Sequence, residues 1–218
     1  MSDVPKYPRS FHLTFSLGTT NDDKVLDSNA HFIGREIVIT AKLDGSNFLM
    51  SRDGCFARSH NGPPTHPSFD WAKAFYSSIK YSIPDHLAIY CEYVFARHSI
   101  SYTSLPHYIN VFNILDIERD VWLSWDVVKY HSGLLELPTV PLLFRGVVER
   151  EIDLETICAS LMKEKEFGVD EREGVVIRLA GEFRNEDFGV SLGKAARKNH
   201  IATDIHWKHQ TITKNGLR

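Results

Sequence analysis

Seven segments of the chain are rich in apolar or β-branched residues and have the length of strands. They are Glu36–Ala41, Asn47–Arg52, Cys55–Arg58, Leu87–Phe95, Ile109–Ile117, Val121–Ser124 and Gly174–Leu179. Several are apolar enough to be buried on both faces of a sheet. The segments cluster along the chain and do not alternate regularly with helices, which predicts an α+β fold with largely antiparallel sheets.

Helical spacing of apolar residues appears in three other segments. It runs through Trp71–Ile79 and Leu154–Leu161, and Trp125–Leu135 is a third candidate. Asp153 and Ser124 are the predicted N-caps of the second and third helices. The chain has no internal repeat, low-complexity tract or Gly/Ser-rich linker. A single domain over residues 1–218 is therefore expected.

Composition excludes several classes of protein. The 25 Lys and Arg residues nearly balance the 28 Asp and Glu residues, so no strongly charged tail indicates a partner. No apolar run approaches the ~20 residues of a membrane span, and the start of the chain lacks the apolar stretch of a signal peptide. The three cysteines, Cys55, Cys91 and Cys158, are far apart. They predict neither disulfides nor a zinc site, and a cytoplasmic location is expected.

The segment most indicative of chemistry is Lys42–Asn47, where a lysine ends a β-rich run and an Asp-Gly turn follows. By itself this pattern is typical of an ordinary hairpin. Two carboxylates change that balance, because Glu92 lies inside a strongly apolar run and Glu173 opens the strand-like run that ends the list above. Buried carboxylates require partners. Further along, Lys194–Lys198 is a cationic cluster, for which a solvated charge run is the alternative.

This order of motifs resembles the covalent nucleotidyltransferases, the superfamily of polynucleotide ligases and messenger-RNA capping enzymes. Within it, the chain most resembles RNA ligases of the phage-type RNA ligase 2 class, especially their compact bacterial members. Other segments that fit the resemblance are Tyr7-Pro8-Arg9, Ala57-Arg58-Ser59, Ala96–Ile100, Leu123–Asp126, Leu137–Pro141, Glu173–Arg178 and His206-Trp207. The resemblance covers nearly the whole chain.

The resemblance implies a fold and an activity. The expected fold is an ATP-grasp-like nucleotidyltransferase domain, in which antiparallel sheets flank an ATP cleft. The expected enzyme is an ATP-dependent RNA ligase that forms a lysyl-AMP, transfers the AMP to a 5′-phosphate end and seals that end to a 3′-hydroxyl, in RNA repair. Its partners would be RNA ends, with a nicked duplex as one form, and the protein would be a monomer.

The resemblance also implies the site residues. Lys42, Glu173 and Lys194 are the expected catalytic residues, with Lys42 as the nucleophile. Glu173 and Asn47 are the expected ligands of Mg²⁺ or Mn²⁺. The residues expected to bind the nucleotide are Ala41, Asp44, Gly45, Asn47, Arg58, Glu92, Phe112, Val175, Lys194 and Arg197. Among these, Glu92 would face the ribose and Phe112 would stack on the base. Ala41 replaces a common glutamate, which fits weaker binding or recognition by its backbone carbonyl.

A nucleophilic lysine must be neutral. At its ordinary pKa of about 10.4, only about one lysine in 2,500 is unprotonated at pH 7. Neighbouring cations disfavour the charged form, so Lys194 and Arg197 are expected to lower the pKa of Lys42.

Two alternatives stay open. A capping-type guanylyltransferase would use GTP and normally an OB domain, whereas neither an OB domain nor a helical C-terminal domain is expected after Lys194. A catalytically weak nucleotide- or RNA-binding module is the second alternative, for which Ala41 and Ser46 are the best indications.

Overall fold

A computed structural model of the chain describes residues 4–19, 22–60, 62–198 and 211–218. The His206-Trp207 motif lies outside the described residues. The longer strands and the helices match most of the predicted segments, and the bounds are as follows. The strands are β1 (Phe11–His12), β2 (Glu36–Lys42), β3 (Ser46–Met50), β4 (Cys55–Ala57), β5 (Leu87–Tyr93), β6 (Ile109–Asp116), β7 (Val121–Trp122), β8 (Leu142–Val147), β9 (Gly174–Leu179), β10 (Phe183–Arg184) and β11 (Leu192–Ala196). The helices are α1 (Asp70–Ile79), α2 (Trp125–Leu134), α3 (Glu151–Met162) and the short α4 (Phe188–Ser191).

These strands form two sheets. Sheet A has the strand order β1-β11-β9-β2-β8, and sheet B has the order β10-β7-β6-β5-β3-β4. Every strand pair is antiparallel except β1 with β11, within the part of the chain that is described. The predicted α+β fold with largely antiparallel sheets is confirmed.

The connection after Lys42 leads from one sheet to the other. Strand β2 pairs with β8 and β9 in sheet A, whereas β3 pairs with β4 and β5 in sheet B. The hairpin interpretation of this segment is therefore wrong. Gly45 lies so close to β5 that a Cβ atom there would stand 2.6 Å from the carbonyl oxygen of Tyr93. Only glycine permits this approach of two backbones.

One face of sheet A packs against α3. The side chains of Ile39, Val175 and Ile177 are buried in one cluster with Leu154 and Cys158 of the helix. Burial of this face leaves the alternate side chains of the same strands directed to the opposite face, because side chains alternate along a strand. Helices α1 and α2 pack against sheet B in a second apolar cluster.

The helix starts correct one expectation. Helix α3 begins at Glu151 with Arg150 in the N-cap position, so Asp153 lies inside the first turn and is not the N-cap. Its carboxylate instead accepts two hydrogen bonds from the Arg150 guanidinium, at 2.6 and 2.7 Å. Ser124 does precede α2 as predicted, although its side chain makes no capping hydrogen bond.

No helix in the described ranges is both long and apolar enough to cross a membrane. The three cysteines are free thiols and all are buried.

Candidate nucleotide site between the two sheets

A cavity of about 640 Å³ lies between sheets A and B. Its sheet A wall follows the alternation and register of three neighbouring strands: Thr40 is paired with Val176, which is paired in turn with Lys194. Sheet B contributes Asn47 and Phe112 to the opposite wall. This volume is within the range of small-molecule sites, about 300–1,000 Å³.

Lys42 is the last residue of β2 and lies on the cavity wall. Its Nζ atom lies 2.5 Å from Oε1 of Glu173, the residue just before β9. The Glu173 side chain is 5% exposed and the Lys42 side chain 28%. The amine is thus accessible from the cavity while its carboxylate partner is buried.

The electrostatic surroundings of Lys42 contradict the expectation of a lowered pKa. Burial lowers the pKa, but the charges of Glu173 and Glu92, the hydrogen bond to Glu173 and the charge of Asp44 outweigh burial. The pKa of Lys42 therefore lies above its ordinary value. The charges that act most strongly on the amine are carboxylates and not cations, because Glu92 on β5 and Glu173 just before β9 both lie near it.

Glu92 faces Lys42 from sheet B. It is paired with Asn47 on β3, and its Oε1 accepts a hydrogen bond of 2.9 Å from the backbone N–H of Gly45. Burial raises the pKa of Glu92 to about 8, because the lowering effects of Lys42 and of the Gly45 hydrogen bond are smaller. Glu92 is therefore largely protonated at pH 7.

A second cluster of charged side chains, centred on Asp23, lies at the β11 side of the cavity. Oδ1 of Asp23 is 3.7 Å from both the Lys194 ammonium and the Arg9 guanidinium, and 3.4 Å from Nε2 of His12. Burial lowers the pKa of Lys194, and the charges of Lys42 and Arg9 add to this effect against the charge of Asp23. Burial also lowers the pKa of His12, to about 4, so this histidine is neutral at pH 7.

Seven of the ten residues expected to bind the nucleotide line this one cavity, together with the expected nucleophile Lys42. The seven are Ala41, Gly45, Asn47, Arg58, Glu92, Phe112 and Lys194. Phe112 packs edge-on against Tyr7, with ring centroids 4.9 Å apart, and both rings contribute to the wall. The structure thus brings together residues that are up to about 150 positions apart in the chain.

Four expected site residues lie away from the cavity wall. Glu173 contacts Lys42 and is not itself part of the cavity wall. The Val175 side chain is fully buried under α3, so strand alternation gives its place on the wall to Val176. Arg197 pairs with Glu171 at 3.0 Å, outside the cavity.

Asp44 is the fourth. Its Oδ2 accepts hydrogen bonds of 2.7 Å from the backbone N–H groups of both Ser99 and Ile100. The carboxylate therefore anchors the connection between β5 and β6 to the Lys42 turn. His98, beside this anchor, lies with Nε2 3.5 Å from Oγ of Ser46.

Sequence patterns did not indicate Asp23 or Tyr7 as wall residues. Both precede β2 in segments with little regular structure, so no periodicity points to their direction. Val176 was detectable, since its position two residues before Arg178 and two after Gly174 puts all three on one face of β9.

The donor set fits a hard divalent cation that is shared with a bound phosphate. No group of three or more His, Cys, Asp or Glu residues suited to a metal occurs among the described residues. Mg²⁺ commonly binds through one or two carboxylates plus substrate phosphates, with water completing its shell. Asn47 on the cavity wall and Glu173 next to Lys42 both offer oxygen atoms of this kind, and the cavity has room for phosphates beside Asn47.

The family model described as RNA ligase matches residues 35–196, which include both sheet walls of the cavity. The chain belongs to the RNA ligase family. No curated protein sequence matches it significantly.

Solved structures of RNA ligases share the fold. Naegleria gruberi RNA ligase with PPi superposes with a TM-score of 0.61 at 19% identity, over 88% of this chain and 57% of that one. An archaeal ATP-dependent RNA ligase gives a TM-score of 0.58 at 14% identity, over 89% of this chain and 48% of that one. A mutant of the Naegleria enzyme with ATP and Mn gives a TM-score of 0.56 at 16% identity, over 88% of this chain and 60% of that one. The chain thus spans about half to three fifths of these ligases.

The raised pKa of Glu92 predicts a pH-dependent stability. Because the folded protein holds this proton up to about pH 8 instead of 4.5, ionisation of Glu92 costs stability, and the free energy of unfolding falls as pH rises through that range. Glu92→Gln removes the ionisation and should flatten this fall. Urea unfolding of ligand-free protein at about pH 5 and pH 9 measures it. Glu171→Gln, at an exposed side chain, is the control. An unchanged pH dependence in Glu92→Gln would show that ionisation of Glu92 does not lower the free energy of unfolding.

Proposed function

We propose that this chain is the nucleotidyltransferase domain of an ATP-dependent RNA ligase and that Lys42 becomes covalently linked to AMP. The observation that carries the proposal is the position of Lys42. Its amine lies on the wall of a nucleotide-sized cavity and contacts the buried carboxylate of Glu173. Lys194 and Arg9 also line this cavity. An amine, a proton acceptor and fixed positive charge are the groups that phosphoryl transfer to lysine requires.

The first step joins Nζ of Lys42 to the α-phosphorus of ATP and breaks the bond to pyrophosphate. The amine must first give up a proton, and Oε1 of Glu173, 2.5 Å away, is positioned to accept it. The raised pKa of Lys42 means that the free enzyme holds the amine charged until ligands arrive. Mg²⁺ or Mn²⁺ held by Glu173 and Asn47 would supply positive charge that favours the neutral amine and stabilises the phosphate oxygens.

The phosphates are assigned to the β11 side of the cavity. Lys194 and Arg9 both point at Asp23, which occupies the position of an anion between them. A phosphate oxygen that replaces this carboxylate would receive the same two cations. Since charge grows on the equatorial oxygens in the transition state, preorganised cations here would stabilise it more than the ground state.

The nucleoside is assigned to the sheet B side. Glu92 can accept hydrogen bonds from ribose hydroxyls, and Arg58 can donate to sugar or phosphate oxygens. Phe112 offers an aromatic face to the base, and the backbone of Ala41 lies on the adjoining wall. Val175 can contribute only through its backbone, because its side chain is in the core.

Later steps transfer AMP to a 5′-phosphate RNA end and seal it with a 3′-hydroxyl, which releases AMP. We assign the chain to the RNA ligase 2 class and its biological role to RNA repair, on the resemblance of its motifs. We also propose that residues 1–218 act as one adenylation domain.

Labelled nucleotides test this function against its rivals. The protein is incubated with α-labelled ATP or GTP and a divalent cation, and protein-bound label is then measured. A covalent adenylate supports the ligase, a covalent guanylate supports a capping enzyme, and absence of both supports a nucleotide- or RNA-binding module. Joining of 5′-phosphorylated RNA ends, as a nicked duplex and as single strands, then tests the substrate.

Lys194→Ala should slow adenylation by about a hundredfold, or ~3 kcal/mol, the scale expected for loss of one preorganised charge in a water-poor site. Arg197→Ala is the matched control, since Arg197 pairs with Glu171 outside the cavity and should affect adenylation little. Single-turnover adenylation measures both. Equal losses in the two variants would show that the cationic cluster acts as a unit and would overturn the assignment.

A further inference from the structure

The C-terminal residues 211–218 lie along the connection between β5 and β6. The N–H of Arg97 donates to the Thr213 carbonyl at 2.8 Å, and the N–H of Leu105 donates to the Gly216 carbonyl at 2.9 Å. Isolated β-bridges join Ala96 to Lys214 and Leu105 to Leu217. The end of the chain is therefore tied into the fold beside the connection that Asp44 anchors.

Asn215 is the buried centre of this contact. It is 3% exposed, whereas residues 211–214 are exposed. Its Nδ2 donates to the Val94 carbonyl at 2.9 Å, and its Oδ1 accepts from the Tyr102 N–H at 2.9 Å. Its backbone N–H donates to the Phe95 carbonyl at 2.9 Å, and its own carbonyl accepts from the Tyr108 hydroxyl at 3.1 Å. One side chain thus joins the end of β5 to the middle of the connection.

Tyr102 continues this network toward the site. Its hydroxyl accepts a hydrogen bond of 2.9 Å from the backbone N–H of Asp44, two residues after Lys42. Tyr102 is 3% exposed. Burial raises the pKa of its phenol, so the hydroxyl stays neutral throughout the working pH range. The hydrogen-bond network runs from Asn215 through Tyr102 to the turn after Lys42, where the chain passes from sheet A to sheet B.

We propose that Asn215 and Tyr102 are positioning residues for the lysine nucleophile, an inference that rests on the proposed function. Neither residue lines the cavity. Their effect passes through the backbone of the Asp44 turn, which sets the direction of in-line attack by Lys42. A misplacement of about 1 Å in a reacting group can cost about a hundredfold in rate.

Three full-length variants test the proposal. Tyr102→Phe removes only the hydroxyl, Asn215→Ala removes the side-chain link, and Thr213→Ala changes an exposed side chain of the same segment as the control. Single-turnover adenylation is measured over a range of ATP concentrations. We expect the rate constant at saturating ATP to fall at least about tenfold in the first two variants and not in the control. The half-saturating ATP concentration should stay unchanged.

Sealing of a pre-adenylated RNA provides the second readout, because that step forms no bond to Lys42. Positioning predicts that Tyr102→Phe and Asn215→Ala seal it close to the wild-type rate. Equal losses in sealing and adenylation would mean general damage to the domain and would overturn the proposal, as would adenylation at the wild-type rate in both variants. An adenylated wild type with unaffected variants refutes only the positioning role. A wild type that takes no AMP refutes the proposed function itself.

Discussion

Lys42→Ala is expected to abolish covalent labelling of the protein by ATP. The variant lacks the amine that lies 2.5 Å from Glu173, and no other lysine on the described cavity wall has a carboxylate at that distance. Removal of the ammonium also leaves the Glu173 carboxylate buried without this partner. A loss of folding could therefore imitate a loss of chemistry.

Lys42→Arg separates these causes. The guanidinium retains the positive charge beside Glu173 but is effectively never deprotonated, so it cannot attack phosphorus. We expect this variant to melt close to the wild-type temperature and to take no label. Sealing of pre-adenylated RNA should be less affected than adenylation in both variants. Label retained at the wild-type level in either variant would exclude Lys42 as the nucleophile.

Glu173→Gln should reduce adenylation by about a thousandfold, the upper range for removal of one preorganised electrostatic group. The amide keeps the size of the side chain but cannot take the Lys42 proton and is a weaker ligand for a divalent cation. Glu171→Gln is the matched control, since it makes the same chemical change two residues away on an exposed side chain. Cooperative melting should persist in both variants. Collapse of melting in Glu173→Gln would assign Glu173 to the core instead.

The pH profile of the residual activity gives a second test of the same pair. The charge of Glu173 helps to hold the pKa of Lys42 above its ordinary value, so its removal lets the amine lose its proton at lower pH. With the divalent cation at a concentration that saturates both proteins, residual adenylation by Glu173→Gln should therefore reach its alkaline plateau at lower pH than adenylation by wild type. A plateau shifted to higher pH would contradict the electrostatic account.

The longer strands could be predicted from sequence because each is an apolar segment buried by its own composition. Strand β8 (Leu142–Val147) was missed, since it is an edge strand whose side chains are mostly exposed or half-buried. Strand β11 (Leu192–Ala196) contains Gly and Ala, and its pairing with β9 decides its structure. Tertiary pairing is not visible in local sequence patterns.

The sequence predicted residues that the structure brings to one cavity, but not the electrostatics around them. Lys42, Glu92 and Lys194, which the resemblance names together, line one cavity, and their roles in catalysis and nucleotide binding stay predictions. The sign of the pKa shift at Lys42 was wrong, because it depends on which distant charges the fold brings closest. Glu173 is in contact with the amine, while Arg197 is held by a different carboxylate. Neither distance follows from spacing in the sequence.

Peptide mapping by mass spectrometry of the wild-type protein, after incubation with ATP and Mg²⁺ or Mn²⁺, shows directly which residue carries AMP. We expect one AMP per chain, in an acid-labile bond to Lys42, the residue just before the Leu43–Ser46 turn. AMP on Lys194 or on any other lysine, or a protein that stays unmodified while it binds ATP, would contradict it.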